Sequence, residues 1–169
     1  GVQTCALPIY AQEYKLSPQG DGAAHFEEGW IARWTAPAPE PHPRWGGRRV
    51  MYCDPSLGRS SRSDTSAIVV IDVWPDGVTW VRHASIGRRR PQALVAAYLD
   101  IWDRWRPTHH ATEDEGAQEL LIPMFDAEAR ARGLPPEALP GLQSTEGVPK
   151  VTRIKRLSGP VEFGRIRWD

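Results

Sequence analysis

The sequence has little cysteine, no excess of either charge and no long apolar run, and each lack removes a class of protein. Its two cysteines, Cys5 and Cys53, are too few for a disulfide framework or a cysteine-based zinc site. Basic and acidic side chains number 21 each, so the overall charge favours neither nucleic acid nor a membrane. No segment approaches the roughly 20 apolar residues of a membrane span. We expect a soluble protein with reduced thiols and no membrane partner.

Length and composition predict one folded domain preceded by a connector. A chain of 169 residues that is 40% hydrophobic can bury a single core. Residues 1–9, GVQTCALPI, read like a translated sequencing-library adapter, so we expect them to be non-native. Residues 10–47 are interrupted by Ser-Pro, Gly-Asp-Gly and alternating prolines, which predicts an irregular connector. Trp30 and Trp34 would anchor it, either on this domain or on a neighbouring one.

A regular pattern begins near residue 49. Apolar runs at about 49–53, 66–73 and 78–84 predict three strands. The last two are separated by Pro75-Asp76-Gly77, in which proline presets the first turn torsion and glycine accepts a positive φ. Three consecutive strands with short connections predict an antiparallel meander.

Helical and strand patterns then alternate to the end of the chain. Apolar residues at helical spacing predict helices at 91–105 and 115–132, and basic residues mark a short one at 149–157. Strands are expected at 109–113, 161–168 and, more weakly, 141–145. Strands joined through helices should lie parallel. The predicted fold class is therefore α/β, a mixed sheet in which an antiparallel three-strand meander is followed by parallel strands, with helices flanking it.

Acidic residues stand where predicted strands end. Asp54 closes the first strand and Glu113 closes a parallel one, so both should reach the crevice outside the carboxyl ends of the sheet. Asp64 adds a carboxylate nearby. Alternatively, Asp54 begins an Asp-Pro turn and Asp64 caps the next strand. Converging carboxylates repel unless a cation lies between them, and an all-oxygen set suits Mg²⁺ or Mn²⁺. Two such ions hydrolyse phosphodiesters, so this arrangement predicts a nuclease.

Four segments in order carry a resemblance to a known family. They are YCDPSLGRSSRSDTSAIVVI, ATEDEGAQELL, KVTRIKRLSGPVEFGRIRW and, more weakly, AQEYKLSPQ with FEEGW in the connector. Together they resemble the C-terminal nuclease domain of the phage terminase large subunit, which has a ribonuclease H-like fold. The resemblance runs from about Ala11 to the end, and its specificity comes from the order and spacing of the segments.

The resemblance implies roles for particular residues. Asp54 would bridge two Mg²⁺ or Mn²⁺ ions, Glu113 would be the second acidic ligand, and Asp64 would have a secondary role in holding metal, water or the loop. The short basic helix would contact the DNA backbone, although a solvated basic face is the other interpretation of its charge. Its basic residues are Lys150, Arg153, Lys155 and Arg156.

The resemblance also implies partners and missing parts. Such a domain cuts concatemeric double-stranded DNA in the host bacterial cytoplasm, together with a packaging ATPase, a small terminase subunit and a portal or procapsid. The ATPase phosphate-binding motif is absent from this sequence, and so is the helix with a third acid that follows the final strand in similar proteins. We expect a nuclease domain at 48–169 that lacks this helix; Asp169 is not expected to replace its acid, so the fragment itself would be catalytically incomplete.

Two other functions fit the same residues. Another ribonuclease H-like enzyme, such as a Holliday-junction resolvase or a transposase, would share the acids but lack an upstream packaging ATPase. A catalytically incomplete DNA-binding or motor-docking module would bind no divalent metal near Asp54, and its DNA affinity would depend on salt alone.

Overall fold

The computed structural model describes residues 26–41, 44–56, 65–113, 118–143 and 149–169. The predicted adapter-derived segment and most of the predicted connector lie outside these residues. In chain order, the elements are α1 Glu28–Arg33, β1 Arg48–Asp54, β2 Ser66–Val73, β3 Thr79–Gly87, α2 Pro91–Trp105, β4 His109–Glu113, α3 Gln118–Ala131, a 3₁₀ turn at Pro136–Ala138, β5 Gly141–Gln143, α4 Lys150–Lys155, α5 Ser158–Glu162 and β6 Ile166–Trp168. No helix in the described ranges is both long and apolar enough to cross a membrane.

The six strands form one mixed sheet in the order β5-β4-β1-β2-β3-β6. β2 lies antiparallel to both β1 and β3, which makes the predicted meander. β4 pairs parallel with β1, β5 with β4, and β6 with β3. The predicted fold class is confirmed, because each later strand returns through a helical segment and joins the sheet in parallel.

The main core lies between the sheet and the helices α2 and α3. Alternate residues of β2 are buried, and Ile68 and Val70 on this face pack with Met51 and Cys53 of β1 against the two helices. The ring of Tyr98 meets Phe125 edge-on, with centroids 4.9 Å apart. Burying a side chain such as Ile68 or Val70 stabilises a fold by about 1.5–3 kcal/mol. The packing of the sheet against α2 and α3 therefore stabilises the position of β1.

The second face of the sheet is covered at its β6 edge by α1 and α5. Ile31, Val161 and Trp168 form a smaller core there. The indole nitrogen of Trp34 donates a hydrogen bond to the Glu162 carbonyl at 3.1 Å. Thr35 then forms a parallel bridge with Trp168. Trp30 and Trp34 therefore pack on this domain, which is one of the two alternatives considered above.

Two predicted elements differ from the structure. The connector, expected to be irregular, contains α1, whose residues lie beyond the Gly-Asp-Gly signal and are held by packing on α5. The strand expected at 161–168 begins as the helix α5 and is a strand only from Ile166. Gly164 adopts a φ of 67°, a conformation that favours glycine and that commonly ends helices. Its position explains why helix gives way to strand within this segment.

Candidate active site

Asp54 and Glu113 are the last residues of neighbouring parallel strands. The register pairs Cys53 of β1 with Thr112 of β4, so the next step along both strands brings Asp54 beside Glu113. Adjacent strands lie about 4.8 Å apart. The Thr112 hydroxyl donates to the Cys53 carbonyl at 3.4 Å across this last pair. The structure therefore brings together the two predicted acids, referred to below as the carboxylate pair.

The carboxylate pair lies on the face opposite α2 and α3. Met51 and Cys53 point into the main core and are fully buried, and side chains alternate along a strand. Asp54 is half-buried and Glu113 is 7% exposed. Both acids thus project from ordered strands on the same face of the sheet.

Arg153 of α4 reaches the carboxylate pair. Its Nη1 lies 3.7 Å from Glu113 Oε1, with side-chain exposures of 41% for the arginine and 9% for the glutamate. Its buried Nε has no hydrogen-bond partner among the described residues. A guanidinium beside a buried carboxylate supplies the positive charge that such a group requires. Arg153 thus places a positive charge next to the carboxylate pair.

Tyr52 belongs to the same site, although it was not among the predicted site residues. Burial, followed by the negative charges of Glu113 and Asp54, raises the pKa of Tyr52 to about 12. Its hydroxyl is buried and has no hydrogen-bond partner in the described part of the chain. The available sequence signal was its position two residues before Asp54, which the period of a strand places on the same face.

Cys53, between these residues, faces the other way and has no role in the site. Burial raises the pKa of its thiol to about 12, so the thiol stays protonated near neutral pH. Since the thiolate is the reactive form of cysteine, Cys53 acts as a small core residue.

Ser66, at the start of β2, is hydrogen-bonded to Ser56, which follows β1. The buried Ser66 hydroxyl accepts a hydrogen bond from the Ser56 backbone N–H at 3.1 Å and donates to the Ser56 carbonyl at 3.3 Å. These bonds hold Ser56 beside the start of β2. Asp64 lies outside the described residues, so its secondary role stays a prediction.

The predicted DNA-binding residues divide into two groups. Lys155 and Arg156 are exposed at the C-terminal end of α4, where phosphate oxygens could reach them. Lys150 begins α4, and Arg153 is directed towards Glu113. Their roles in DNA binding stay predictions. The structure does show that the basic helix lies next to the carboxylate pair.

The other notable acids of the sheet have different partners. Asp72 is fully buried and accepts two hydrogen bonds from Arg49, at 2.6 and 2.7 Å. Asp169 lies 3.4 Å from Arg82 and accepts a hydrogen bond from the Ala38 backbone N–H. In the ranges that the structure describes, no group of three or more His, Cys, Asp or Glu residues is placed to hold a metal ion. The described candidate site therefore contains two acids.

The carboxylate pair nevertheless fits a divalent cation. Carboxylate oxygens are hard ligands of the type that Mg²⁺ and Mn²⁺ prefer. The guanidinium of Arg153 is already placed as a cation against Glu113. The chemistry of the donor set and the position of this cation both point to a cation-binding site.

Comparison with known proteins supports the fold. No protein-family model matches the chain, and neither does any curated protein. Among solved structures, the HK97 bacteriophage large terminase matches with a TM-score of 0.56 and 18% identity, over 85% of this chain and 33% of that one. The P22 large terminase nuclease domain matches with a TM-score of 0.51 and 12% identity, over 85% and 69%. The fold is the ribonuclease H-like fold of terminase nuclease domains.

A third solved structure is also similar to this chain. The large terminase nuclease from thermophilic phage G20c matches 74% of this chain at 12% identity, with a TM-score of 0.48. The chain spans 60% of that nuclease and a third of the HK97 terminase.

Proposed function

We propose that this chain is the endonuclease domain of a phage DNA-packaging terminase, which hydrolyses phosphodiester bonds of concatemeric double-stranded DNA with two divalent metal ions. The single observation that carries the proposal is the carboxylate pair, side by side on β1 and β4. The fold shared with terminase nuclease domains supports it, because the pair lies at the carboxyl ends of parallel strands, where open α/β sheets place their sites.

The resemblance implies the roles of the residues. Asp54 and Glu113 would hold the ions, and Asp64 would have a secondary role in holding metal, water or the loop. Bound Mg²⁺ or Mn²⁺ would polarise the attacking water and stabilise charge on the leaving oxygen. β1 and β4 keep the two carboxylates in place, since rigid strands hold ligands more precisely than loops.

The basic helix α4 would bind the DNA backbone beside this site. The exposed side chains of Lys155 and Arg156, with Lys150 at the start of the helix and Arg153 next to Glu113, would contact phosphates without reading sequence. We further propose that residues 10–47 connect residues 48–169 to a packaging ATPase. The assembled protein would act with a small terminase subunit and a portal in the host bacterial cytoplasm.

Metal binding tests the site in the chain itself. We expect calorimetric titration with Mn²⁺ to show binding to the wild-type 169-residue chain. Asp54→Asn and Glu113→Gln should each weaken that binding by about 100-fold or abolish it, because each removes a charged ligand of nearly unchanged size. Asp103→Asn, an exposed acid on α2, is the matched control and should bind Mn²⁺ like the wild type.

Cleavage tests the reaction and the substrate. In the complete reading frame from which this chain comes, both site variants should lose cutting of linear duplex DNA, while their circular dichroism spectra stay unchanged. Unaltered cleavage, or unaltered Mn²⁺ affinity, in Asp54→Asn would disprove the site. Selective cutting of four-way junctions would instead favour a resolvase.

A further inference from the structure

We propose that Arg153 is an internal counter-cation of the carboxylate pair, which holds the metal position when no ion is bound and lowers the affinity for the ion. The inference rests on the proposed function, because it concerns the same site. It assigns Arg153 a role in the metal-free protein, in addition to the phosphate contact predicted from its sequence position.

The contact between Arg153 and Glu113 has the features of an exchangeable pair. Its Nη1–Oε1 distance is 3.7 Å, beyond the 2.7–2.9 Å of a good charge-assisted hydrogen bond. Arg49 and Asp72, by contrast, form a two-pronged pair at 2.6 and 2.7 Å. Because Arg153 is attracted to Glu113 without being locked in place, an incoming ion can displace it at modest cost.

The burial of Glu113 explains why a cation is needed when metal is absent. A carboxylate on a side chain that is 9% exposed loses much of its hydration, and a counter-charge nearby offsets this loss. Tyr52, a second neighbour of the pair, contributes a phenol whose buried hydroxyl has no hydrogen-bond partner among the described residues. Among these neighbours, Arg153 provides the positive charge.

The side chain of Arg153 is exposed enough to move away from Glu113 when an ion binds. Its side chain is 41% exposed, and it lies on the same short helix as the exposed Lys155 and Arg156. Once an ion neutralises Glu113, the guanidinium is free to turn towards that basic surface. Metal loading would therefore release a further cation for DNA phosphate.

Titration with Mn²⁺ tests the competition directly. Arg153→Gln should bind Mn²⁺ about three- to tenfold more tightly than the wild type, because a repelling charge that is partly screened by solvent has been removed. Arg153→Lys keeps the charge and should stay near the wild-type affinity. Arg104→Gln makes the same charge change on α2, across the sheet, and should leave the affinity unchanged.

Thermal unfolding supplies an independent measurement. In EDTA, Arg153→Gln should unfold at a lower temperature than the wild type, because the buried Glu113 no longer has the positive charge of Arg153 beside it. Saturating Mn²⁺ should remove most of this difference, so the metal-induced rise in Tm should be larger in the variant. A purely structural salt bridge would leave the deficit unchanged by Mn²⁺.

The outcomes separate this inference from the proposed function. If Asp54→Asn abolishes Mn²⁺ binding while Arg153→Gln leaves it unchanged or weakens it, the metal site stands and the counter-cation role is wrong. If the wild type binds no Mn²⁺, both proposals are wrong. Tighter binding in Arg153→Gln together with wild-type affinity in Arg153→Lys supports both.

Discussion

At the scale of single residues, His110 shows how the fold controls a titratable group next to the sheet. Its Nδ1 lies 2.8 Å from the Tyr98 hydroxyl, and its Nε2 lies 2.7 Å from the Glu137 carbonyl. The indole nitrogen of Trp102 also lies 3.2 Å from Nε2, so polar groups enclose both ring nitrogens. Burial lowers the pKa of His110 below its usual value, so the folded state favours the neutral form.

This lowered pKa predicts that acid destabilises the protein through His110. The unfolded chain binds the proton more readily than the folded chain, so the stabilising contribution is complete above about pH 6.5 and is lost as pH falls through the folded pKa. Urea unfolding at several values between pH 7.5 and 5 should show stability falling, and His110→Gln should reduce that slope.

His109 provides the control for this experiment. It is the exposed neighbour of His110 in the same strand, so His109→Gln should keep the wild-type slope. Burial also lowers the pKa of His83, which adds a slope of the same sign to all three proteins. Identical slopes in His110→Gln and the wild type would contradict the prediction.

At the scale of secondary-structure elements, a buried charge network joins the first three strands. Asp72 of β2 binds Arg49 of β1 in two-pronged geometry, and Arg82 of β3 approaches it at 3.7 Å. We predict that Asp72→Ala lowers the free energy of unfolding by about 3–5 kcal/mol, because it leaves the largely buried guanidinium of Arg49 without its acid. Chemical denaturation measures this change.

An exposed pair within α2 is the natural comparison. Asp103 and Arg106 are both more than half exposed, so Asp103→Ala should cost less than about 1 kcal/mol. Similar losses in the two variants would show that the network of Asp72 contributes no more than a surface ion pair.

The junction between α1 and α5 depends on Gly164. A Cβ at this position would lie 2.6 Å from the Trp34 ring, and the residue has a φ of 67°. Gly164→Ala should therefore cost more than the roughly 1–2 kcal/mol of a left-handed backbone and should displace Trp34. Limited proteolysis should then cut within residues 26–41 faster than in the wild type.

Gly133 allows the effect of the left-handed backbone to be separated from the effect of the clash with Trp34. It has a φ of 65°, but a Cβ there would meet nothing within 4 Å. Gly133→Ala should thus lose stability through backbone strain alone and keep the wild-type cleavage rate at residues 26–41. Equal protection of that segment in both variants would contradict the proposed clash.

The elements also show how far sequence patterns extend. The bounds of β2, α2 and β4 match their predictions at 66–73, 91–105 and 109–113, because apolar spacing, proline and turn residues all agree there. The carboxylate pair followed from the same local signals together with the rule for parallel strands. α1 and the contact of Arg153 with Glu113 depend on tertiary packing between distant segments, which no local pattern encodes.

At the scale of the whole molecule, the proposed function predicts what the neighbouring DNA encodes. Sequencing the source DNA on both sides of this reading frame should reveal an ATPase phosphate-binding motif upstream and an acidic helix downstream. The third acid would complete the ligand set that Asp54 and Glu113 begin. A natural frame that starts near Tyr10 and stops at Asp169 would contradict the proposal and would favour a catalytically incomplete module.

The contact of residues 34–36 with β6 also bears on the association of this protein with itself. An uncovered strand edge is a template for pairing with another chain and hence for aggregation. Here Thr35 bridges to Trp168, and the Ala36 backbone N–H donates to the Trp168 carbonyl at 3.0 Å, so the outward bonding groups of Trp168 are occupied. The opposite edge is β5, whose three residues offer only a short template. Both edges of the described sheet thus leave little room for a strand of a second molecule to pair with it.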